Sequence, residues 1–195
     1  MKIKILIPIY NDWQSADKLI NKIDNLVKGI NHAFSVIIVN DGSSEIKPDG
    51  FGFSENLHSV QILNIKKNMG HARCIATGLK HIFQNDEFDY IIPMDGDGED
   101  RPEEIKIFID NLSYNPDTTI VGERVKRSEG IVFKLSYSIH KLITFIFTGK
   151  SIKFGNYTFL PKKTVEKLIN DKSTWSSFSG ALSKLEKNLA TIPSE

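Results

Sequence analysis

A layered α/β domain, with a mainly parallel sheet and helices on both of its faces, is the fold class that this sequence predicts. Three observations predict it. Short β-branched runs alternate with amphipathic stretches along the chain, as in successive strand–helix–strand units. The length of 195 residues suits one ordinary domain. Polar, acidic segments follow several of the apolar runs, and in such a sheet the carboxyl ends of the strands carry the ligand-binding loops.

Residues 2–9 are an apolar, β-branched run and read as a buried strand. The run is too short for a signal peptide and has no small-residue cleavage site. Over 13–27, Leu19, Ile20, Ile23, Leu26 and Val27 recur at helical spacing, which predicts a helix closed near Gly29. Strands are predicted over 34–39 and 60–65, separated by a stretch rich in Gly, Ser, Asp and Pro. A helix over about 70–83 follows, then a strand over 90–94, a helix opened by Pro102 and a strand over 118–121. With no internal repeat, low-complexity tract or linker, 1–195 reads as a single domain.

Composition narrows the function classes. Lys and Arg number 25 against 24 Asp and Glu, a net charge of +1, so no global field draws the chain to nucleic acid. The single cysteine, Cys74, permits no internal disulfide and suits a reducing, cytoplasmic setting. No apolar stretch reaches the length of a membrane span. The segment 131–147 is strongly apolar but carries Lys134 and Lys141, the composition of an interfacial helix. It equally suits core or a homodimer face, so peripheral contact with the inner face of a membrane is one expectation among three.

Chemistry is expected in three loops: 8–12 after the first strand, 40–44 after the second and 95–100 after the fourth. Asn, Asp, Gly and Ser end strands and cap helices in any protein, but three such loops in register point to a site. Asp95, Asp97, Glu99 and Asp100 fall within six residues and would repel one another without a cation or basic partner. Mg²⁺ or Mn²⁺ is typically held by one or two carboxylates plus substrate phosphates, which suits a short Asp-x-Asp. A calcium EF-hand is excluded, since positions six and twelve counted from Asp95 are Asp100 and Lys106 rather than Gly and Glu. A solvated acidic turn, with 100–104 as an ordinary helix start whose acids favour the dipole, is the plainer alternative.

The segments IPIYND (7–12), VNDGSSE (39–45), NMGHARCIATGL (68–79), MDGDGEDRPEE (94–104) and VGERVKRSEG (121–130), taken together, resemble the family 2 glycosyltransferases, which have the GT-A, Rossmann-like fold. The later FGNYTFLPKKTVEKL (154–168) is similar to the GDFRL-type segment of the polyprenyl-phosphate sugar transferases, the branch that includes dolichyl-phosphate mannose synthase. Here Asn156 and Thr158 stand where that segment has Asp and Arg.

The resemblance implies a nucleotide-sugar donor, with UDP or GDP favoured over adenine nucleotides. By it, Pro8, Tyr10, Asp12 and Asp41 hold base and ribose, and Asn68 and Gly70 open a helix whose amino terminus faces the nucleotide. Asp97 binds the metal, Asp95 meets the sugar-nucleotide or the metal, and Glu99, at a position often Gln, adds a third charge. Arg124 and Arg127 match a segment that meets phosphate, as the bidentate guanidinium can. His71 lies close by, yet one histidine without a second ligand is more often structural than metal-binding. The expected reaction is metal-dependent, inverting sugar transfer to an acceptor, with Asp95, Asp97, Arg124 and Arg127 as catalytic residues. The stretch 174–179 has no carboxylate to serve as a base, which favours a polyprenyl phosphate, already ionised, over a saccharide hydroxyl. A non-catalytic sugar-nucleotide-binding module is the rival from another class. A nucleotidyltransferase would open with a Gly-rich basic loop, and 8–12 contains no Gly, Lys or Arg. The resemblance also leads us to expect a C-terminally truncated domain, because 189–195 resembles a late strand that leads into a further Arg-rich segment.

Overall fold

Side chains of the first strand alternate between two layers of helices: Ile3, Ile5, Ile7 and Ile9 of β1 (Lys2–Ile9) enter one core and Leu6 the other. That is why β1 is a near-continuous apolar run, buried on both faces. The computed structural model describes residues 1–112, 116–124 and 154–194. In chain order, α1 (Trp13–Val27), β2 (Ala33–Asn40), β3 (Ser59–Asn64), α2 (His71–Asn85), β4 (Tyr90–Pro93) and α3 (Glu104–Leu112) follow β1. Next come β5 (Ile120–Arg124), β6 (Phe154–Pro161), α4 (Lys162–Asn170), a 3₁₀ turn (Lys172–Trp175), α5 (Phe178–Leu185) and β7 (Ala190–Ser194).

The seven strands lie in the order β3-β2-β1-β4-β6-β5-β7. After β1, β2 and β3 the chain returns through α2 to place β4 on the other side of β1, and both neighbours pair with β1 in parallel. The strand order therefore reverses between β1 and β4, and a crevice at the carboxyl ends is expected at that point. α1 and α3 cover one face of the sheet; α2, α4 and α5 cover the other. α2 lies close on the sheet because Gly78 has no side chain: a Cβ there would come within 2.3 Å of Leu6 Cδ1.

The predicted elements up to residue 124 are present with small shifts at their ends, the largest at β5, which ends at Arg124 rather than 121. One strand departs from the simple alternation. β6 enters between β4 and β5, antiparallel to both, through the pairs Ile91↔Leu160 and Ile120↔Phe159. Its alternation still serves two cores, with Tyr157 and Phe159 on the α3 side and Leu160 on the α2 side. Among the described residues no helix is long and apolar enough to cross a membrane. The segment 131–147 lies outside the described residues.

Candidate active site

At the strand-order reversal, the loops after β1 and β4 enclose a cleft of about 340 Å³ lined by Pro8, Tyr10, Asp12, His71, Asp95, Asp97 and Asn156, together with Ile9 and Gly96. A larger hollow of about 710 Å³ lies at the amino ends of the strands, around Lys2, His32, Glu87 and Lys162. It is far from the three polar loops, so volume is a poorer guide here than the strand reversal.

The first wall follows from the end of β1. Tyr10 is 49% exposed, so its ring is presented to the cleft rather than spent in the core. Asn11 adopts φ 54°, a left-handed conformation that Asn tolerates better than most residues. This aims its side chain at the loop after β2, where Oδ1 accepts from Ser44 N at 2.8 Å and Glu45 N at 3.1 Å. Asp12 caps α1, accepting from Ser15 N, and lines the cleft as well. Asn11 is absent from the residues that the motifs single out, although a polar residue that tolerates positive φ directly after a buried strand is a readable signal.

Asp41 is placed differently from Tyr10 and Asp12. It is 4% exposed and lies outside the cleft lining. Its Oδ1 accepts from Met69 N at 2.7 Å and its Oδ2 from Gly70 N at 2.9 Å. Beside it, Gly42 has φ +68°, and a Cβ there would meet the Lys67 backbone at 2.8 Å. Only glycine allows that approach without strain. Asp41 and Gly42 thus hold the loop carrying Asn68 and Gly70, and with it the start of α2, against the end of β2. Asn40 completes the join: its Nδ2 donates to Asn64 Oδ1 at 2.9 Å on β3. Burial and Asp41 together push the Cys74 thiol up to about 12, so this cysteine stays protonated and inert.

The second wall is the acidic loop. Its carboxylates do not converge as their spacing in the sequence suggests. Asp100 is 2% exposed and turns inward, where Oδ2 accepts from Asp95 N at 2.8 Å. A backbone N–H therefore meets that charge from within the loop. Glu99 is exposed and outside the lining, and its N–H donates to Asp97 Oδ1 at 2.9 Å. Asp95 and Asp97 remain in the cleft. Two hard oxygen donors suit Mg²⁺ or Mn²⁺ with substrate phosphates completing the shell. Among the described residues no group of three or more His, Cys, Asp or Glu is gathered to cage an ion.

His71 and Asn156 enter the cleft from α2 and β6. His71 Nε2 is 3.2 Å from Asp95 Oδ1, and that carboxylate raises the imidazole pKa against the opposing effect of burial, with Asp100 and Asp97 adding to the rise. Asn156 Nδ2 is 3.1 Å from Asp95 Oδ1 and 2.8 Å from His71 Nε2. Thr158, the other departure in its segment, is fully buried and donates to Asn156 O. Of the two arginines singled out above, Arg124 ends β5 opposite Ser194 of β7, and Arg127 lies outside the described residues.

Comparison with known proteins identifies the family and the fold. The family model described as Glycosyl transferase family 2 matches residues 4–177. An undecaprenyl-phosphate 4-deoxy-4-formamido-L-arabinose transferase of Salmonella choleraesuis (strain SC-B67) is 27% identical over 160 residues, covering 80% of this chain and 46% of the relative. The chain spans about half the length of the curated relatives it matches. Among solved structures, glucosyl-3-phosphoglycerate synthase from Mycobacterium tuberculosis in complex with UDP matches with a TM-score of 0.64 at 13% identity, covering 98% of this chain and 69% of that one. A mannosyltransferase from Pyrobaculum calidifontis in complex with GDP-Man and Mn²⁺ gives 0.58 at 13% identity, covering 98% and 54%. At such identities the likeness is one of fold.

Proposed function

The chain belongs to glycosyl transferase family 2 and has the GT-A fold, and from that premise we propose that its cleft binds a UDP- or GDP-sugar with Mg²⁺ or Mn²⁺ for inverting transfer to a polyprenyl phosphate. The observation that carries this reading is the meeting of Asp95 and Asp97 with Tyr10 and Asp12 in one cleft, at the strand-order reversal.

Tyr10 offers a ring face to the base, while Pro8 and Asp12 border the base and ribose. Asp41 acts from beneath by holding the loop of Asn68 and Gly70, whose backbone faces the nucleotide. Asp95 and Asp97 hold the metal and donor diphosphate, with Glu99 adding charge at the rim. Bound there, a divalent cation would neutralise charge building on the leaving diphosphate. Arg124 and Arg127 are assigned to a leaving or acceptor phosphate.

Two observations support a phosphate acceptor. The stretch 174–179 has no carboxylate, and the nearby Asp171 is committed to Ser173 N at 2.8 Å and Lys184 Nζ at 2.8 Å. A phosphate is ionised at neutral pH and needs no base to activate it. The Salmonella relative is itself named for undecaprenyl phosphate. The apolar segment 131–147 would then serve at the membrane surface where such an acceptor lies.

A donor panel read by nucleoside diphosphate release, with and without polyprenyl phosphate and with and without EDTA, tests the reading. Metal-dependent release that needs the lipid phosphate is expected. Release stimulated only by a saccharide would replace the acceptor, and donor binding without release under every condition would reduce the chain to a binding module.

A further inference from the structure

We propose that Asn156 is a positioning residue for transfer, holding Asp95 in the orientation that the donor and its metal meet; this rests on the donor-site reading of the cleft. β6 runs antiparallel to β4, with Ile91 opposite Leu160. Carrying that register on by four residues sets Asn156 opposite Asp95. Because strand side chains alternate, Asn156 shares the α2 face with Leu160, while Tyr157 takes the other face against Phe108. Consecutive residues of one strand therefore grip the two ends of the acidic loop. Asn156 Nδ2 reaches Asp95 Oδ1 at 3.1 Å, and the Tyr157 hydroxyl donates to Arg101 O at 2.7 Å.

The chemistry of the amide matters. Its nitrogen donates to Asp95 Oδ1 and lies 2.8 Å from His71 Nε2, whose role in that contact follows its tautomer, so the amide sits between the acidic loop and the start of α2. An ionised carboxylate at 156 would have no hydrogen for Asp95 Oδ1 and would repel it. An apolar group of the same size would fill the space and hold nothing. Orienting partners of this kind typically change metal affinity or activity by roughly 10- to 100-fold when removed.

Asn156→Ala and Asn156→Leu distinguish holding from filling. Mn²⁺ binding, read by electron paramagnetic resonance in the presence of UDP or GDP, is expected to weaken about tenfold or more in both, with unchanged circular dichroism. Wild-type affinity in the Leu variant would overturn the proposal. The ¹⁵N shifts of the His71 ring, read without ligand, are expected to move in both variants; an unmoved signal would overturn the contact whatever the cleft binds. A wild-type chain that takes up Mn²⁺ with neither nucleotide would instead bring down the donor-site reading, and this role with it.

Discussion

The Gly70 backbone N–H donates to Asp41 Oδ2 at 2.9 Å, so a residue at the end of β2 fixes where α2 begins. Met69 N donates to the other oxygen at 2.7 Å, and the carboxylate is buried. Asp41→Ala removes both acceptors. The expected result is a loss of about 1.5–3 kcal/mol in unfolding free energy, the range for hydrogen bonds to a charged group, read from urea titration, together with weaker nucleotide binding. A variant that loses nucleotide affinity at full stability would move Asp41 from beneath the site into direct contact with the base.

Asp97 is exposed on its loop and contributes nothing to either core. Asp97→Asn is therefore expected to abolish metal-dependent donor binding while stability stays within about 0.5 kcal/mol, as for surface substitutions generally. Calorimetric titration with Mn²⁺ and donor, beside a thermal melt, checks both halves. Undiminished Mn²⁺-dependent binding would remove Asp97 from the metal site.

Gly42→Ala tests the join between the loops after β2 and β3. The left-handed backbone costs a non-glycine residue about 1–2 kcal/mol, and the new methyl group would press on the Lys67 backbone, which has no rotamer to yield. We expect lower stability and weaker nucleotide binding together. Nucleotide affinity equal to wild type would mean that the loop of Asn68 and Gly70 takes no part in the site.

Asp24 governs a different region. Buried on α1, it accepts from the backbone N–H groups of Glu55, Asn56 and Leu57 and from the Asn56 side chain, pinning the end of the long β2–β3 connection. Burial alone would raise its pKa, but the Asn56 amide and these N–H groups outweigh it and hold the carboxyl below its ordinary value. A lowered folded pKa means that its stabilisation is present in full above the unfolded carboxylate range and is lost as pH falls through the folded value. Asp24→Ala should thus destabilise by about 1.5–3 kcal/mol at pH 7, and the gap from wild type should narrow in acid. A gap independent of pH would show that the charge is not what binds the loop.

What the sequence by itself determined is the set of local elements up to residue 124 and the identity of the loops that carry chemistry. Hydrophobic period and helix punctuation are local properties, so β1 and α1 were legible residue by residue and α2 to within two residues at its ends, as were the polar loops after β1, β2 and β4. The tertiary structure alone decided which of those polar residues meet. Spacing along the chain put four acids together, but the inward turn of Asp100 onto Asp95 N and the outward placement of Glu99 left two in the cleft. The motif around Asp41 was visible, yet its burial under the loop of Gly70 depends on where α2 packs. Asn156 looked like the loss of a carboxylate from a distant segment. It became a partner of Asp95 only because β6 enters the sheet antiparallel to β4, a pairing set by the two cores that β6 completes and by no short-range pattern in residues 154–161.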